Sequence, residues 1–311
     1  MDPRPALAAI DCGTNSTRLL VADAEGRPLE RLMRITRLGQ GVDATGRLAP
    51  EAIARCVAVL TEFRGVMDGL GVGGGRLAAT SAARDAANGA DFLRAAGDAT
   101  GLVPELLTGV EEGRLSMAGA VADLDPADGP FLVLDIGGGS TELIAADGPD
   151  DPELAAVSLQ LGCVRVSERF LAGDPPSTAE LDAAAAEVAA QLDEAVSAHP
   201  RYLDARRLVG LAGTVSTLAS LHLGLDVYDR ERIHHLVLSA DDVSGWFHRL
   251  VAEPAAVRLA RPGMVPGRED VIVAGALILD AVMVRLGFEE CLVSESDILD
   301  GLIASQLGRR D

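Results

Sequence analysis

The skeleton Asp-x-Gly-x-x-Ser-Thr occurs twice in this chain, and no other feature limits the possible fold so severely. AAIDCGTNSTRLLVAD runs from Ala8 to Asp23, and FLVLDIGGGSTELIAAD runs from Phe131 to Asp147. Aligning Asp11 with Asp135 sets Gly13 on Gly137, Ser16 on Ser140, Thr17 on Thr141, Leu19 on Leu143 and Asp23 on Asp147. Each copy reads as an apolar strand, a polar turn and a second strand, which is a hairpin. One supersecondary unit used twice within 311 residues implies two lobes with separate cores.

The remaining pattern is α/β. Pro50 and Glu51 open a helix whose apolar residues Ile53, Val57, Leu60, Phe63 and Met67 form one buried stripe, and the Gly-rich run Leu70 to Gly75 ends it. Strands are expected at Arg76 to Thr80, Leu102 to Leu107, Ala155 to Leu161, Arg207 to Leu211 and Glu290 to Val293. Helices are expected at Asp91 to Ala99, along TGVEEGRLSMAGAVADL, after the capping-box spacing Ser177 to Glu180, after Gly213, and at Asp241 to Leu250, Val271 to Leu286 and Ile298 to Leu307. The turn-rich DPADGP at Asp125 to Pro130 marks the division. It gives a first lobe over residues 1–128, a second over 129–297, and a closing helix over 298–311 expected to pack back on the first.

Composition excludes several functions. No apolar run reaches the roughly 18 to 20 residues of a membrane span, and Met1 to Pro5 has nothing of a signal peptide, so a cytoplasmic protein away from membranes is expected. A formal charge of -20 argues against nucleic acid as a partner. All 27 basic residues are arginines, which removes the Walker A loop, Schiff-base chemistry and lysine-dependent kinases. Cys12, Cys56, Cys163 and Cys291 lie far apart and read as reduced structural thiols.

The turns themselves carry chemistry. Gly137, Gly138 and Gly139 allow a backbone that exposes successive amides to an anion, and Ser140 and Thr141 add hydroxyls. The first turn has one glycine, Gly13, and adds Thr14, Asn15 and Ser16 as side-chain donors. Two such turns facing each other across a cleft would grip a phosphate chain from both sides. Asp11 and Asp135 end their strands beside these turns and suit a hydrated divalent cation. A third turn, Gly210 to Thr214, precedes a helix, so Gly213 and Thr214 offer further donors at its N-terminus. Glu111 and Glu112, at the start of another helix, are candidate bases, although acids are ordinary there. His234 and His235, read as neighbours on a strand pointing to opposite faces, are taken as structural.

The three turns resemble the phosphate motifs of the actin-like ATPase superfamily, whose fold is two-lobed and ribonuclease H-like. The pieces DCGTNSTRLLVAD, ATSAARDAAN, LLTGVEEGRLSMAGA, LVLDIGGGSTELI, LQLGCVRVSERF, GLAGTVSTLA, VPGREDVIVAGALIL and LVSESDILDGLI resemble one branch, the exopolyphosphatase and guanosine pentaphosphate phosphatase (Ppx/GppA) family. That resemblance implies hydrolysis of the terminal phosphate of inorganic polyphosphate or a related phosphoanhydride such as guanosine pentaphosphate, with Mg2+ and as a homodimer. It implies Glu112 as the base, and Glu142 as the acid that holds metal or attacking water. Arg84 is implied as a phosphate clamp, with Arg165 and Arg268 as further candidates. Longer relatives carry an added helical region, so a preference for short chains is expected. An acceptor-dependent kinase and a nucleotide-driven switch or filament are the competing readings.

Overall fold

A computed structural model of the chain describes residues 5–308. In chain order the elements are β1 (Ala6–Cys12), β2 (Ser16–Ala22), β3 (Pro28–Ile35), α1 (Val42–Thr45), α2 (Pro50–Gly69), β4 (Val72–Ala79), α3 (Ser81–Asp85), α4 (Gly89–Thr100), β5 (Pro104–Leu106) and α5 (Gly109–Ala120). There follow β6 (Phe131–Ile136), β7 (Thr141–Ala146), β8 (Ala155–Leu159), α6 (Cys163–Phe170), α7 (Thr178–Ala198), β9 (Arg207–Leu211), α8 (Ala212–Leu223) and α9 (Arg230–Ile233). The chain continues through β10 (Val237–Ser239), α10 (Ala240–Val251), α11 (Ala255–Leu259), α12 (Ile272–Leu286), β11 (Glu290–Val293) and α13 (Ile298–Leu307). No helix among the described residues is long and apolar enough to cross a membrane.

The chain divides into two compact units, one running to Gly119 and resuming at Asp297, the other spanning Ala120–Ser296. Residues 120–128, placed with the first lobe from sequence, therefore group with the second unit.

The duplication extends well beyond the hairpins. The first unit has strand order β3-β2-β1-β4-β5 and the second β10-β11-β9-β6-β7-β8. In both, three antiparallel strands (β3, β2, β1 and β8, β7, β6) continue into two parallel ones (β4, β5 and β9, β11). Five strands thus correspond one to one, and β10 is an addition at the edge of the second sheet.

Period-2 alternation assigns the faces of the first sheet. Ala8, Ile10 and Cys12 of β1 pack with Cys56, Leu60, Phe63 and Met67 of α2 and with Phe92 and Ala96 of α4. Leu7 and Ala9 face the other way, against Ile298, Leu299, Leu302 and Ile303 of α13, which places the closing helix in the first unit. In the second unit Leu132, Leu134, Ile136 and Leu143 pack with Ala184, Val188 and Leu192 of α7, Val215 and Leu218 of α8, and Ile278 and Leu279 of α12. All four cysteines are buried and unbridged.

Three elements depart from the sequence reading. Helix α2 ends at Gly69, just before the glycine run, with Gly71 at φ 66, but Gly73 to Gly75 lies inside β4, where a Cβ at Gly75 would come within 2.7 Å of Ala8 O, so glycine there admits the close approach of β1. The edge strand β3, PLERLMRI, carries charges where a buried strand would be apolar, which hid it. Helix α6 was not anticipated, and it proves to matter most at the site.

Helices α5 and α13 touch backbone to backbone. A Cβ at Gly119 would collide with Asp297 O, and one at Gly301 would collide with Leu115 O. Gly301→Ala should therefore lower stability by on the order of 3 kcal/mol through overpacking. Thermal denaturation checks this, and an unchanged midpoint would contradict the crossing.

Candidate active site

The two elbows have the same local geometry. Gly13 N donates to Ser16 O at 3.0 Å, and Gly137 N donates to Ser140 O at 3.0 Å. In each, the last residue of one strand pairs with a threonine of the next, Cys12 with Thr17 and Ile136 with Thr141.

What fixes the second elbow is α6. Cys163 N donates to Gly137 O at 3.0 Å, Val164 N and Arg165 N donate to Gly138 O at 2.9 and 3.1 Å, and Arg165 Nε donates to Gly139 O at 2.7 Å. In a planar trans peptide each carbonyl is antiparallel to the N–H that follows it. Three carbonyls fastened to α6 therefore aim the amides of Gly138, Gly139 and Ser140 the opposite way, as an anion-binding nest. Among the described residues, no turn or loop carbonyl takes these amides. In the first unit the segment after β3 does the same work. Gly39 N donates to Thr14 O at 2.9 Å, and Thr36 N and Arg37 N donate to Asn15 O at 3.0 and 2.9 Å, so the amides of Asn15 and Ser16 face away from that segment.

Beside the elbows the carboxylates differ in kind. Asp11 pairs across the ladder with Arg18, whereas Asp135 pairs with Glu142 at the equivalent position. Arg18 donates to Asp11 Oδ2 through Nε at 3.1 Å and Nη2 at 2.7 Å, and its Nη1 pairs with Asp297. Asp11 Oδ1 is buried without a partner. Burial raises the Asp11 carboxyl above its usual range although Arg18 opposes this. Asp135 and Glu142 are 7% and 1% exposed, so the second unit buries two acids side by side. Ser158 Oγ donates to Glu142 Oε1 at 2.7 Å.

Geometry separates Glu111 from Glu112. Glu111 Oε2 accepts from Thr108 N at 2.9 Å and Thr108 Oγ1 at 2.8 Å, while Glu111 N donates back to Thr108 Oγ1, a capping box for α5. These bonds hold its carboxyl below the usual range. Glu112 is buried, and its Oε2 accepts from Arg84 Nη1 at 3.2 Å. Arg84 Nη1 also donates to Leu107 O at 2.8 Å, while Nη2 is buried without a partner, a donor set for an anion.

The third turn is braced from behind. Ala212 holds φ 63 as α8 begins, and Arg268 Nη1 donates to Gly213 O and, at 2.9 Å, to Thr217 Oγ1. A Cβ at Gly213 would overlap the Arg268 guanidinium. Arg165 and Arg268 thus both spend bonds on glycine carbonyls. Two hydroxyls expected to bind phosphate point elsewhere. Thr141 is fully buried and lies on the face opposite Glu142, with Ile136, because adjacent strand residues alternate. Thr214 packs on Gly275 of α12 and bonds the Cys163 thiol. Thr14 is buried with its methyl against Gly39, Ser140 is buried, and Asn15 and Ser16 remain half-exposed.

The histidine pair differs from its strand reading. His234 caps α9, His235 takes φ 63, and their rings stack at 3.8 Å, both toward Asp123. His234 Nδ1 accepts from Glu295 N at 3.0 Å, so the ring proton sits on Nε2, which donates to Asp123 Oδ2 at 2.9 Å. That tautomer leaves Nε2 no lone pair for a metal.

Sequence reasoning missed Gly162, whose added Cβ would collide with Gly138 O and C. Gly162→Ala should displace the nest and abolish most catalysis, whereas Gly148→Ala, with open space around it, should not. Equal activities of the two variants in a phosphate-release assay would contradict the role of α6.

A model of the Ppx/GppA phosphatase family matches residues 20–310. The chain is similar to "Exopolyphosphatase 2" of Mycobacterium tuberculosis, 42% identical over 97% of this chain and 98% of that one. Among solved structures it is similar to an exopolyphosphatase-like protein, with TM-score 0.92 and 35% identity over 98% of this chain and 100% of the other. It is also similar to the Aquifex aeolicus Ppx/GppA family member, with TM-score 0.79 and 30% identity over 99% of both chains. The α/β fold with its duplicated five-strand units is shared with these solved structures. With a family model covering nearly its whole length, the chain belongs to the Ppx/GppA phosphatase family and is a phosphoanhydride hydrolase.

Proposed function

We propose that this enzyme is an exopolyphosphatase, releasing orthophosphate from the end of inorganic polyphosphate. The observation that carries the reading is the nest of Gly138, Gly139 and Ser140 amides turned away from α6, next in the chain to the buried Asp135 and Glu142. The name of the mycobacterial relative supports the same substrate class.

In this reading the amides of Gly138, Gly139 and Ser140 take the negative charge of the phosphate oxygens. Glu112 accepts the proton of the attacking water. The water oxygen bonds to the terminal phosphorus, the bridging P–O bond breaks, and the chain leaves one unit shorter with the bridging oxygen as its new terminus. Arg84, bonded to Glu112, fixes that carboxylate's direction.

The residues fit Mg2+ by donor chemistry. Asp135 and Glu142 form an all-oxygen pair of buried carboxylates at one ladder position, an arrangement that a hard cation stabilises. Asp135 and Glu142 would hold the ion. When bound, Mg2+ supplies positive charge to the phosphate oxygens.

Phosphate release from triphosphate, short and long polyphosphate and guanosine pentaphosphate, with Mg2+ and with a chelator, tests the assignment. Release from polyphosphate that stops on chelation is expected; failure on every polyphosphate would sink the reading, and release only from guanosine pentaphosphate would replace it. Glu112→Gln should lower kcat by roughly 10²- to 10⁴-fold. Glu111→Gln should leave kcat nearly unchanged, and comparable losses in the two variants would overturn the choice of base.

A further inference from the structure

We infer that Ser158 is a positioning residue that orients the Glu142 carboxylate. This rests on the proposed role of Glu142 at the phosphate site. Asp135, Glu142 and Ser158 occupy consecutive strands β6, β7 and β8 as direct ladder partners, so their side chains form one row on one face of the second sheet. Ser158 Oγ donates to Glu142 Oε1 at 2.7 Å, the short length of a charge-assisted bond. Glu142 is 1% exposed, so bulk water does not orient its oxygens and a fixed donor must contribute.

The duplicated unit supplies the comparison. The equivalent row in the first sheet is Asp11, Arg18 and Met33. There the central residue is itself the donor, to Asp11, and the third strand carries a thioether. In the second sheet the central residue has become an acceptor, and the third strand carries a hydroxyl. The donor has moved one strand outward with the change of charge. β8 is otherwise apolar, AAVSL, so Ser158 is the polar exception in its strand.

The test uses full-length enzyme, polyphosphate turnover and Mn2+ binding measured by electron paramagnetic resonance. Ser158→Ala is expected to lower kcat and weaken Mn2+ binding by roughly 10- to 100-fold, the usual loss when the partner supporting a metal-holding group is removed. KM should change far less, and Ser158→Thr, which keeps the hydroxyl, should restore most of both. In a Glu142→Gln background the serine replacement should add no further loss of Mn2+ affinity. If Ser158→Ala matches wild type while Glu142→Gln is inactive, the serine proposal alone fails. An additive loss in the double variant also overturns it, since the effect would not run through Glu142. Full activity in Glu142→Gln overturns the site reading beneath it.

Discussion

Peptide planarity, applied at three consecutive bonds, organises the candidate site. Because Cys163, Val164 and Arg165 take the carbonyls of Gly137, Gly138 and Gly139, the following amides have no freedom to turn inward. An anion nest in solvent would cost entropy to assemble at binding; here α6 and its packing hold it in advance. The need for backbone to lie against backbone explains Gly162, and the first elbow repeats the device with Gly39 against Thr14.

Duplication gave the two units one scaffold, and charge made them different. Five strands, the elbow bond and the threonine behind it are shared. At one ladder position, however, the first unit places Arg18 and the second Glu142. Asp11 is thereby neutralised within its own unit and tied through Arg18 to Asp297, the N-cap of α13. Two acids at the second unit's position repel each other in a buried setting. In the proposed function a bound cation would offset that repulsion.

A chain with no lysine and a formal charge of -20 must bind anions with few, well-placed cations. In the proposed site, backbone amides supply much of the attraction without adding charge. Arginine serves in two ways that suit its planar fork: Arg84 joins Glu112 and leaves a buried N–H, while Arg165 and Arg268 lock glycine carbonyls. A flexible ammonium would do the second job poorly.

The sequence by itself determined the hairpin duplication, the long helices with their stripes and the Ser177 to Glu180 cap, because these rest on neighbours in the chain. The glycine turns came to notice as backbone suited to phosphate, while Glu112, Glu142 and Arg84 came through the resemblance to a known family. Edge strand β3 escaped the sequence reading because it shows no apolar face, and α6 because eight residues are too few for its amphipathic pattern to stand out. Only tertiary structure decided that Glu111 caps a helix while Glu112 meets Arg84, that Thr141 faces the core, and that His234 and His235 stack because a left-handed residue interrupts the presumed strand. These outcomes depend on the direction of a bond or the partner across a ladder, and direction is set by packing from distant segments.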